Sequence, residues 1–351
     1  MKAKQITTYA VNSKAIVEET ELPVTLEADE ASHLESGVIN LHPGILFQEI
    51  EGFGGALTDT VGYLYAQMTE ENKKQFLEEH FGEHGQHYKF LRMHMDSCVW
   101  TAEEQKEFLR DYVYPTFKEA GLADKIGLYI WDHNKERVVE FAQAIIDDET
   151  VNMLEGIAFH WYSGDHFEAL SMAHELYPSM KLMGSECCAL HPPGQSNMFA
   201  AMLGMGGSVA EADYEDAAAY GHDMIGDLNH GMNRWIDWNL CVDKTGGPRH
   251  VASGFGAPVC ANEDGTYRKL LTYYYIGHFS RYILPGARRI GASGCDDAVE
   301  FTAAKNPDGS IAVVLLNRGE KDKSYAIRMD GKVVRIALPA KTINTLCIPA
   351  E

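Results

Sequence analysis

Short apolar runs and amphipathic segments alternate through the middle of the chain. Six runs have the length of buried strands: EGFGGA, KFLRMHM, KIGLYIW, GIAFHWY, LMGSECC and RWIDWNL. The segments between them include TEENKKQFLEEHF, AEEQKEFLRDYVYPTFKEAG, ERVVEFAQAII, FEALSMAHELY and DAAAYGHDMIGDLNHGM, which have the polar and apolar spacing of helices. Alternation of this kind is typical of parallel α/β units. Capping residues support two of the helices: Thr69 precedes one, and Thr101 with Glu104 forms a capping box before another.

Both ends of the chain have the pattern of antiparallel strands instead. Near the C-terminus, AVEFTAAKNPDGSIAVVLLNRG predicts two strands joined by a turn at Asp308 and Gly309, and YAIRM, KVVRIAL and TINTLCI follow at short spacing. QITTYAV and AIVEETELPVTL near the N-terminus are similar. We therefore predict a β-sandwich built from residues 1–40 together with 286–351, and a parallel α/β domain over residues 41–285.

Length and composition agree with two domains and exclude some functions. A chain of 351 residues exceeds the roughly 250–300 residues that one core usually serves. No run of about 18 apolar residues is present, so we expect no membrane span. The polar start lacks the apolar core of a signal peptide, which favours a cytoplasmic protein. A formal net charge of -21 repels phosphate backbones, and we therefore expect no nucleic-acid partner.

Cysteine and histidine patterns predict neither a disulfide framework nor a metal site. The seven cysteines include no CxxC pair, and the fifteen histidines include no HExxH motif. The one tight histidine group, HFGEHGQH, is more typical of a polar helix end than of metal ligands. We expect no cofactor and no catalytic metal.

Polar and aromatic residues follow the ends of nearly all six predicted strands. In a parallel barrel these ends converge on one face, where active sites lie. Aromatic faces there suit the apolar faces of sugar rings, and the basic side chains can bind hydroxyl groups. The candidate site residues are Arg92, His160, Tyr162, Glu186, Asp237 and Trp238.

Several of these strings together resemble glycoside hydrolase family 30, the family of glucosylceramidases and related bacterial β-glucosidases. They are FQEIEGFGGALTDT, FLRMHMDSC, IWDHN, GIAFHWYSG, MGSECC, NRWIDWNLCVDKTGGPRHV and YYYIGHFSRYILPGARRI, in the order of the family. The resemblance implies an eight-stranded (β/α) TIM barrel, a β-sandwich formed from both termini, and a retaining mechanism with two glutamates. Glu186 matches the nucleophile, whereas Arg92, His160, Tyr162 and Trp238 match positions that line the sugar site.

The second glutamate of the family is missing from the sequence. The family carries it in an Asn-Glu-Pro string at the end of the fourth strand, and no such string occurs here. FLRMHMDSC matches the end of the second strand, and VWTAEEQKEFLRDY matches the helix after the fourth. Two βα units therefore look absent, with a seam near residues 96–101. Four acids could stand in by chain position: Asp96, Glu103, Glu104 and Asp132. Glu103 and Glu104 fit the first turn of a helix better.

Three interpretations remain open at this point. The first is a retaining β-glycosidase of the glucosylceramidase type, acting on β-glucosides or related sugars through a glycosyl-Glu186 intermediate and impaired by the missing acid. The second is a sugar-binding relic without catalysis. The third is an error of sequence assembly at the seam, which resequencing across Asp96 to Thr101 would reveal. The sugar and linkage stay undetermined, and a homo-oligomer could cover the open barrel edges.

Overall fold

The protein is described here by a computed structural model that covers residues 1–11, 16–30, 36–93, 100–189, 191, 209–248 and 255–350. Its strands are β1 (Lys2–Val11), β2 (Ile16–Thr25), β3 (Glu27–Ala28), β4 (Val38–Ile50), β5 (Gly52–Leu57), β6 (Phe90–Met93), β7 (Tyr129–Asn134), β8 (Gly156–His160), β9 (Lys181–Glu186), β10 (Met232–Asp237), β11 (Val242–Asp243), β12 (Val259–Ala261), β13 (Tyr267–Lys269), β14 (Ala287–Gly294), β15 (Glu300–Lys305), β16 (Ile311–Asn317), β17 (Lys323–Met329), β18 (Lys332–Leu338) and β19 (Thr342–Ile348).

The helices lie mostly in the middle of the chain. They are α1 (Asp59–Gln67), α2 (Glu70–Phe81), α3 (Ala102–Phe108), α4 (Tyr114–Glu119), α5 (Val138–Ile145), α6 (Phe167–Leu176), α7 (Val209–Asn229) and α8 (Leu271–Ser280). A π-helical stretch, Leu109–Val113, joins α3 to α4. The predicted caps are present: Thr69 accepts from the Asn72 amide, and Thr101 forms the full capping box with Glu104. The apolar pattern missed α1 and α8.

Strands β5 to β10 form one parallel sheet in the order β6-β5-β10-β9-β8-β7. They correspond to the six predicted apolar runs, although β7 covers residues 129–134 and the predicted run KIGLYIW covers 125–131. Every neighbouring pair in this sheet is parallel, so the carboxyl ends of the strands share one edge. The fold is thus that of a (β/α) barrel, as predicted. In the described part of the chain this barrel has six strands and stays open between β6 and β7.

Close packing around β5 explains why this strand is rich in glycine. A Cβ at Gly54 would lie 2.2 Å from the Phe90 carbonyl oxygen, and one at Gly55 would lie 2.2 Å from Leu240. Both positions therefore need a residue without a side chain. The aromatic rings of Phe53 and Trp235, which pair in register across β5 and β10, are fully buried.

The remaining long strands form a ten-stranded sheet, in the order β2-β1-β19-β16-β15-β14-β4-β17-β18-β3, that folds over one core. The strands next to the two ends of this order, β1 and β18, approach each other, since Gln5 Nε2 on β1 donates a 2.7 Å hydrogen bond to the Ala337 carbonyl on β18. Both chain ends contribute to this sandwich. Its N-terminal part extends through Ile50 at the end of β4, beyond the residue 40 at which the sequence analysis placed the boundary.

Strand β16 connects the two domains, because both of its faces are buried. Val313 and Leu315 belong to the sandwich core, whereas Val314 and Leu316 pack into the barrel core beside α7. The apolar run IAVVLLN is therefore continuous and does not alternate.

The open side of the barrel exposes apolar groups. Leu57, Leu91, Trp100 and Phe108 are each at least one third exposed to solvent. The helix run that starts with α3 packs against α5 and β7, and so it covers the β7 side of the opening. None of the described helices is long and apolar enough to cross a membrane.

Candidate active site

Glu186 ends β9, and its carboxylate is held from two sides. Its Oε2 accepts a 2.7 Å hydrogen bond from Arg92 Nη1, and its Oε1 accepts one of 3.1 Å from the Tyr162 hydroxyl. Arg92 lies on β6, three strands away in the sheet order, so its side chain reaches over the ends of β5 and β10. The Glu186 side chain is 16% exposed, which leaves it accessible from the cleft.

The aromatic side chains around Glu186 fix its partners in place. The Arg92 guanidinium lies 5.4 Å from the centre of the Trp238 ring, within the range of a cation–π contact. The Trp238 amide donates to the Cys187 carbonyl at 2.7 Å, which ties the ends of β10 and β9 together. Burial raises the pKa of Tyr162 well above its ordinary range, and the neighbouring Cys188 and Glu186 add to this effect. Tyr162 therefore stays a phenol and a hydrogen-bond donor.

Asp132 enters the site through an irregularity in β7. The pairing of β7 with β8 slips between Trp131 and His133, so Asp132 is the extra residue of a β-bulge. Trp131 and Asp132 both have left-handed backbone conformations, with φ of 75° and 56°. Two consecutive left-handed residues other than glycine cost about 1–3 kcal/mol each, and such strain is concentrated at functional sites.

The Asp132 carboxylate contacts three donors from three strands. Its Oδ1 accepts a 2.5 Å hydrogen bond from Ser185 Oγ and lies 3.2 Å from His160 Nε2, and its Oδ2 accepts a 3.2 Å bond from Arg92 Nη2. Partial burial favours the neutral acid, but the hydrogen bonds from His160 and Ser185 and the charge on Arg92 outweigh it. The pKa of Asp132 consequently lies well below its ordinary range, and this acid has no proton to donate near neutral pH.

Asp237 does not belong to the cleft, which corrects its assignment as a substrate-binding residue. Its side chain is fully buried, and its Oδ1 accepts a 2.6 Å hydrogen bond from the Tyr220 hydroxyl. Burial raises the pKa of Asp237 well above its ordinary range despite that hydrogen bond. Successive residues at a strand end face opposite ways, and here Trp238 takes the cleft side while Asp237 takes the core side.

Among the described residues, Glu103 and Glu104 make no hydrogen bond or ion pair with Glu186 or its partners, and the remaining acid considered as a substitute is not described. Glu103 and Glu104 lie in the exposed first turn of α3, and hydrogen bonds from Thr101 lower the pKa of Glu104. Asp96 and the rest of the seam through Val99 lie outside the described residues. The glycine-rich loop LGMGGS, residues 203–208, also lies outside them.

The described residues include no group of three or more His, Cys, Asp or Glu side chains that could hold a metal ion. His80, from the string HFGEHGQH, is fully buried against Phe76, with ring centres 4.2 Å apart. Burial lowers its pKa to about 4, so this ring is a neutral part of the core.

Four of the five predicted partners of Glu186 therefore meet at one place: Arg92, His160, Tyr162 and Trp238. The sequence pattern indicated Asp132 only as a candidate substitute for the missing acid. It gave no sign that Ser185 is a partner of Asp132. The string IWDHN at a strand end was the available signal for Asp132, but the bulge that turns its side chain inward has no local signature.

Comparison with known proteins agrees with this architecture. Residues 93–283 match the sequence model of the glycosyl hydrolase family 30 TIM-barrel domain, and residues 286–346 match that of the family's β-sandwich domain. A glucosylceramidase-like protein of Caenorhabditis elegans is 30% identical over 84% of this chain and 58% of its own length. The lysosomal acid glucosylceramidase of Mus musculus is 28% identical over 65% of this chain and 43% of its own length. The chain thus spans about half the length of the curated relatives it matches.

Solved structures share the fold. SrfJ from Salmonella typhimurium superposes over the whole of both chains with a TM-score of 0.88 at 24% identity. An endo-β-1,6-glucanase superposes over the whole of both chains with a TM-score of 0.80 at 20% identity. At these identities the likeness establishes the fold alone.

Proposed function

Because this chain belongs to glycosyl hydrolase family 30, we propose that it is a retaining β-glycosidase that reacts through a covalent glycosyl-Glu186 intermediate. One observation carries the proposal: the Glu186 carboxylate, bound by Arg92 and Tyr162, stands at a strand end, and the same Arg92 lies beside the Trp238 ring. An anionic oxygen held in this way can attack an anomeric carbon, and Trp238 offers a face for the sugar ring.

We further propose that hydrolysis of ordinary glycosides is slow, because the proton donor is missing. A retaining enzyme uses a second carboxyl about 5–5.5 Å from the nucleophile to protonate the leaving oxygen. The Asn-Glu-Pro string is absent from the sequence, and Asp132, the other carboxylate that Arg92 contacts, is held ionised. General acid catalysis typically contributes about 10²–10⁴ in rate, and this factor is what the chain would lose.

The substrates are proposed from the names of the relatives. Both glucosylceramidases and an endo-β-1,6-glucanase are among them, so β-linked glucose is the sugar that we expect. Two leaving groups are candidates. One is a lipid aglycone, which would give the protein a part in sphingolipid metabolism, and the other is a β-1,6-glucan. The cytoplasmic location, the lack of a nucleic-acid partner and a homo-oligomer stay predictions.

The test compares two substrates that differ in leaving group. We expect slow release of 2,4-dinitrophenol from its β-glucoside, which needs no protonation, and at least about 100-fold less turnover of an alkyl β-glucoside. Glu186→Gln should abolish the first activity, whereas Glu168→Gln, an exposed glutamate on α6, should not change it. Rapid turnover of the alkyl glucoside would show that a proton donor is present.

A sugar-binding protein without catalysis is the second candidate, and the ionised state of Asp132 favours it. It predicts no release of dinitrophenol by any variant. Binding of glucose would still quench or shift tryptophan fluorescence, because Trp238 lies beside the site. Loss of that signal in Trp238→Phe, with no release by the unaltered protein, would favour this second function.

A further inference from the structure

We infer that Asp132 is a positioning residue, which aims Arg92 and His160, two of the groups that surround the Glu186 carboxylate. The inference rests on the proposed function, since it gives Asp132 a part in the same reaction. It concerns how the nucleophile is oriented, and it does not make Asp132 the missing proton donor.

Two of the three partners of Asp132, Arg92 and His160, also contact the Glu186 carboxylate. Arg92 donates to Asp132 through Nη2 at 3.2 Å and to Glu186 through Nη1 at 2.7 Å. His160 Nε2 lies 3.2 Å from Asp132 and 3.8 Å from Glu186. Ser185 donates to Asp132 at 2.5 Å and is the residue directly before Glu186.

The Arg92 guanidinium is shared between two carboxylates, those of Glu186 and Asp132. A guanidinium prefers to bind one carboxylate with two parallel hydrogen bonds, and such a pair is stronger than a single bond. Because Asp132 accepts from Nη2 and Glu186 accepts from Nη1, neither carboxylate has the two-bond pair, and Nη1 also donates to the Ser185 carbonyl at 3.1 Å. Without the Asp132 charge, Arg92 is free to turn toward Glu186 and to hold the nucleophile more firmly in its resting position.

Contacts around Trp131 hold the backbone so that the Asp132 side chain points to the cleft. Gln105 on α3 hydrogen-bonds both the amide and the carbonyl of Trp131, at 3.2 and 3.3 Å, as a neighbouring strand would. The Trp131 indole donates to the Asn134 carbonyl at 2.9 Å and packs on Phe141, with ring centres 3.9 Å apart. These contacts hold the residue before Asp132 in its left-handed conformation and thereby turn Asp132 toward the cleft.

The test measures the attack by Glu186 directly. With 2-deoxy-2-fluoro-β-glucosyl fluoride as the probe, the bond from Glu186 oxygen to the anomeric carbon forms while fluoride leaves with the electron pair of its own bond. This step needs no proton donor. In Asp132→Asn we expect the saturating rate constant of labelling, read by mass spectrometry, to fall by about 10- to 100-fold, with the inhibition constant changed less than about threefold.

Asn keeps the size of the side chain and tolerates a left-handed backbone, so this variant removes mainly the charge. The matched control is Asp165→Asn, since Asp165 is also paired with a histidine, His222 at 3.1 Å, but is 63% exposed and outside the site. The control should label at the unaltered rate. Labelling of Asp132→Asn at that rate, or an equal fall in both variants, would overturn the inference.

A second variant keeps the inference testable if Asp132→Asn does not fold. Ser185→Ala removes one of the three donors to Asp132, and we expect labelling to slow by about three- to tenfold. Unchanged labelling of Ser185→Ala would count against the positioning role. If the unaltered protein itself takes up no label, the proposed function fails first, and that outcome is distinct from a loss confined to the variants.

Discussion

Replacing Lys135 by Met tests how a buried charge holds the end of β7 in place. Lys135 follows Asn134, is fully buried, and donates to Asp227 Oδ1 at 2.7 Å and to Asp223, both on α7. Burial opposes its charge, but the two carboxylates outweigh burial and raise the pKa of Lys135 above its ordinary range. Its ammonium also lies 4.7 Å from the centre of the Phe167 ring. The cluster therefore links α7 to the strand that carries Asp132.

The expected loss follows from the burial of all three groups. Removing one partner of a buried ion pair typically costs about 3–5 kcal/mol, because the remaining charge is left uncompensated. We expect Lys135→Met to lower the free energy of unfolding of the barrel by that amount at pH 7. All five tryptophans lie within residues 100–238, so tryptophan fluorescence during urea unfolding reports the barrel and not the sandwich.

The pH dependence gives a second reading of the same variant. Burial and the Asp223 carboxylate raise the pKa of Asp227 well above its ordinary range. A carboxyl whose pKa is raised by folding favours the folded state at low pH and loses that contribution as the pH rises through the raised value. The deficit of Lys135→Met should therefore shrink between pH 7 and pH 5. The triple variant Lys135→Met, Asp223→Asn, Asp227→Asn should recover most of the stability. A Lys135→Met protein within about 1 kcal/mol of the unaltered protein at pH 7 would refute the reasoning.

Two further predictions concern contacts between elements. Gln105→Leu should lower barrel stability by about 1–2 kcal/mol, since it leaves the amide and carbonyl of Trp131 without their partner; an unchanged urea midpoint would contradict this. His222 contacts Glu300 of the sandwich at 2.6 Å and Asp165, and the hydrogen bond to Glu300 raises its pKa despite partial burial. Stability from a raised histidine pKa is present below about pH 6.5 and is lost at higher pH, so His222 should contribute a fall in the thermal midpoint from pH 6 to pH 8, and His222→Gln should make that fall smaller.

The strands and their order along the chain could be predicted because their signals are local. An apolar run of strand length between helical segments is buried wherever the sheet forms, and all six runs became strands of the barrel. The capping box is local too, since Thr101 and Glu104 lie three residues apart. Helix α8, LTYYYIGHFS, was missed because it is buried on nearly all sides and has no polar face to reveal its period.

Asp237 and Asp132 show where prediction from the sequence ends. Both are aspartates at the ends of barrel strands, and the sequence analysis gave the cleft role to Asp237. The structure buries Asp237 against Tyr220, whereas a bulge brings Asp132 to Arg92 and His160. One extra residue in a strand reverses the direction of a side chain, and the contacts that sustain the bulge include Gln105 on another element, α3.

The sequence by itself determined which chemical groups are available: a carboxylate at the end of a strand, basic and aromatic residues at neighbouring strand ends, and no Asn-Glu-Pro string. Tertiary structure alone decided which of these groups meet, which acid has its pKa raised by burial, and which has its pKa lowered by neighbouring donors. The physical reason is that a side chain's type is a property of its own residue. Its direction and its pKa depend on burial and on charges that strands distant along the chain bring within a few ångströms.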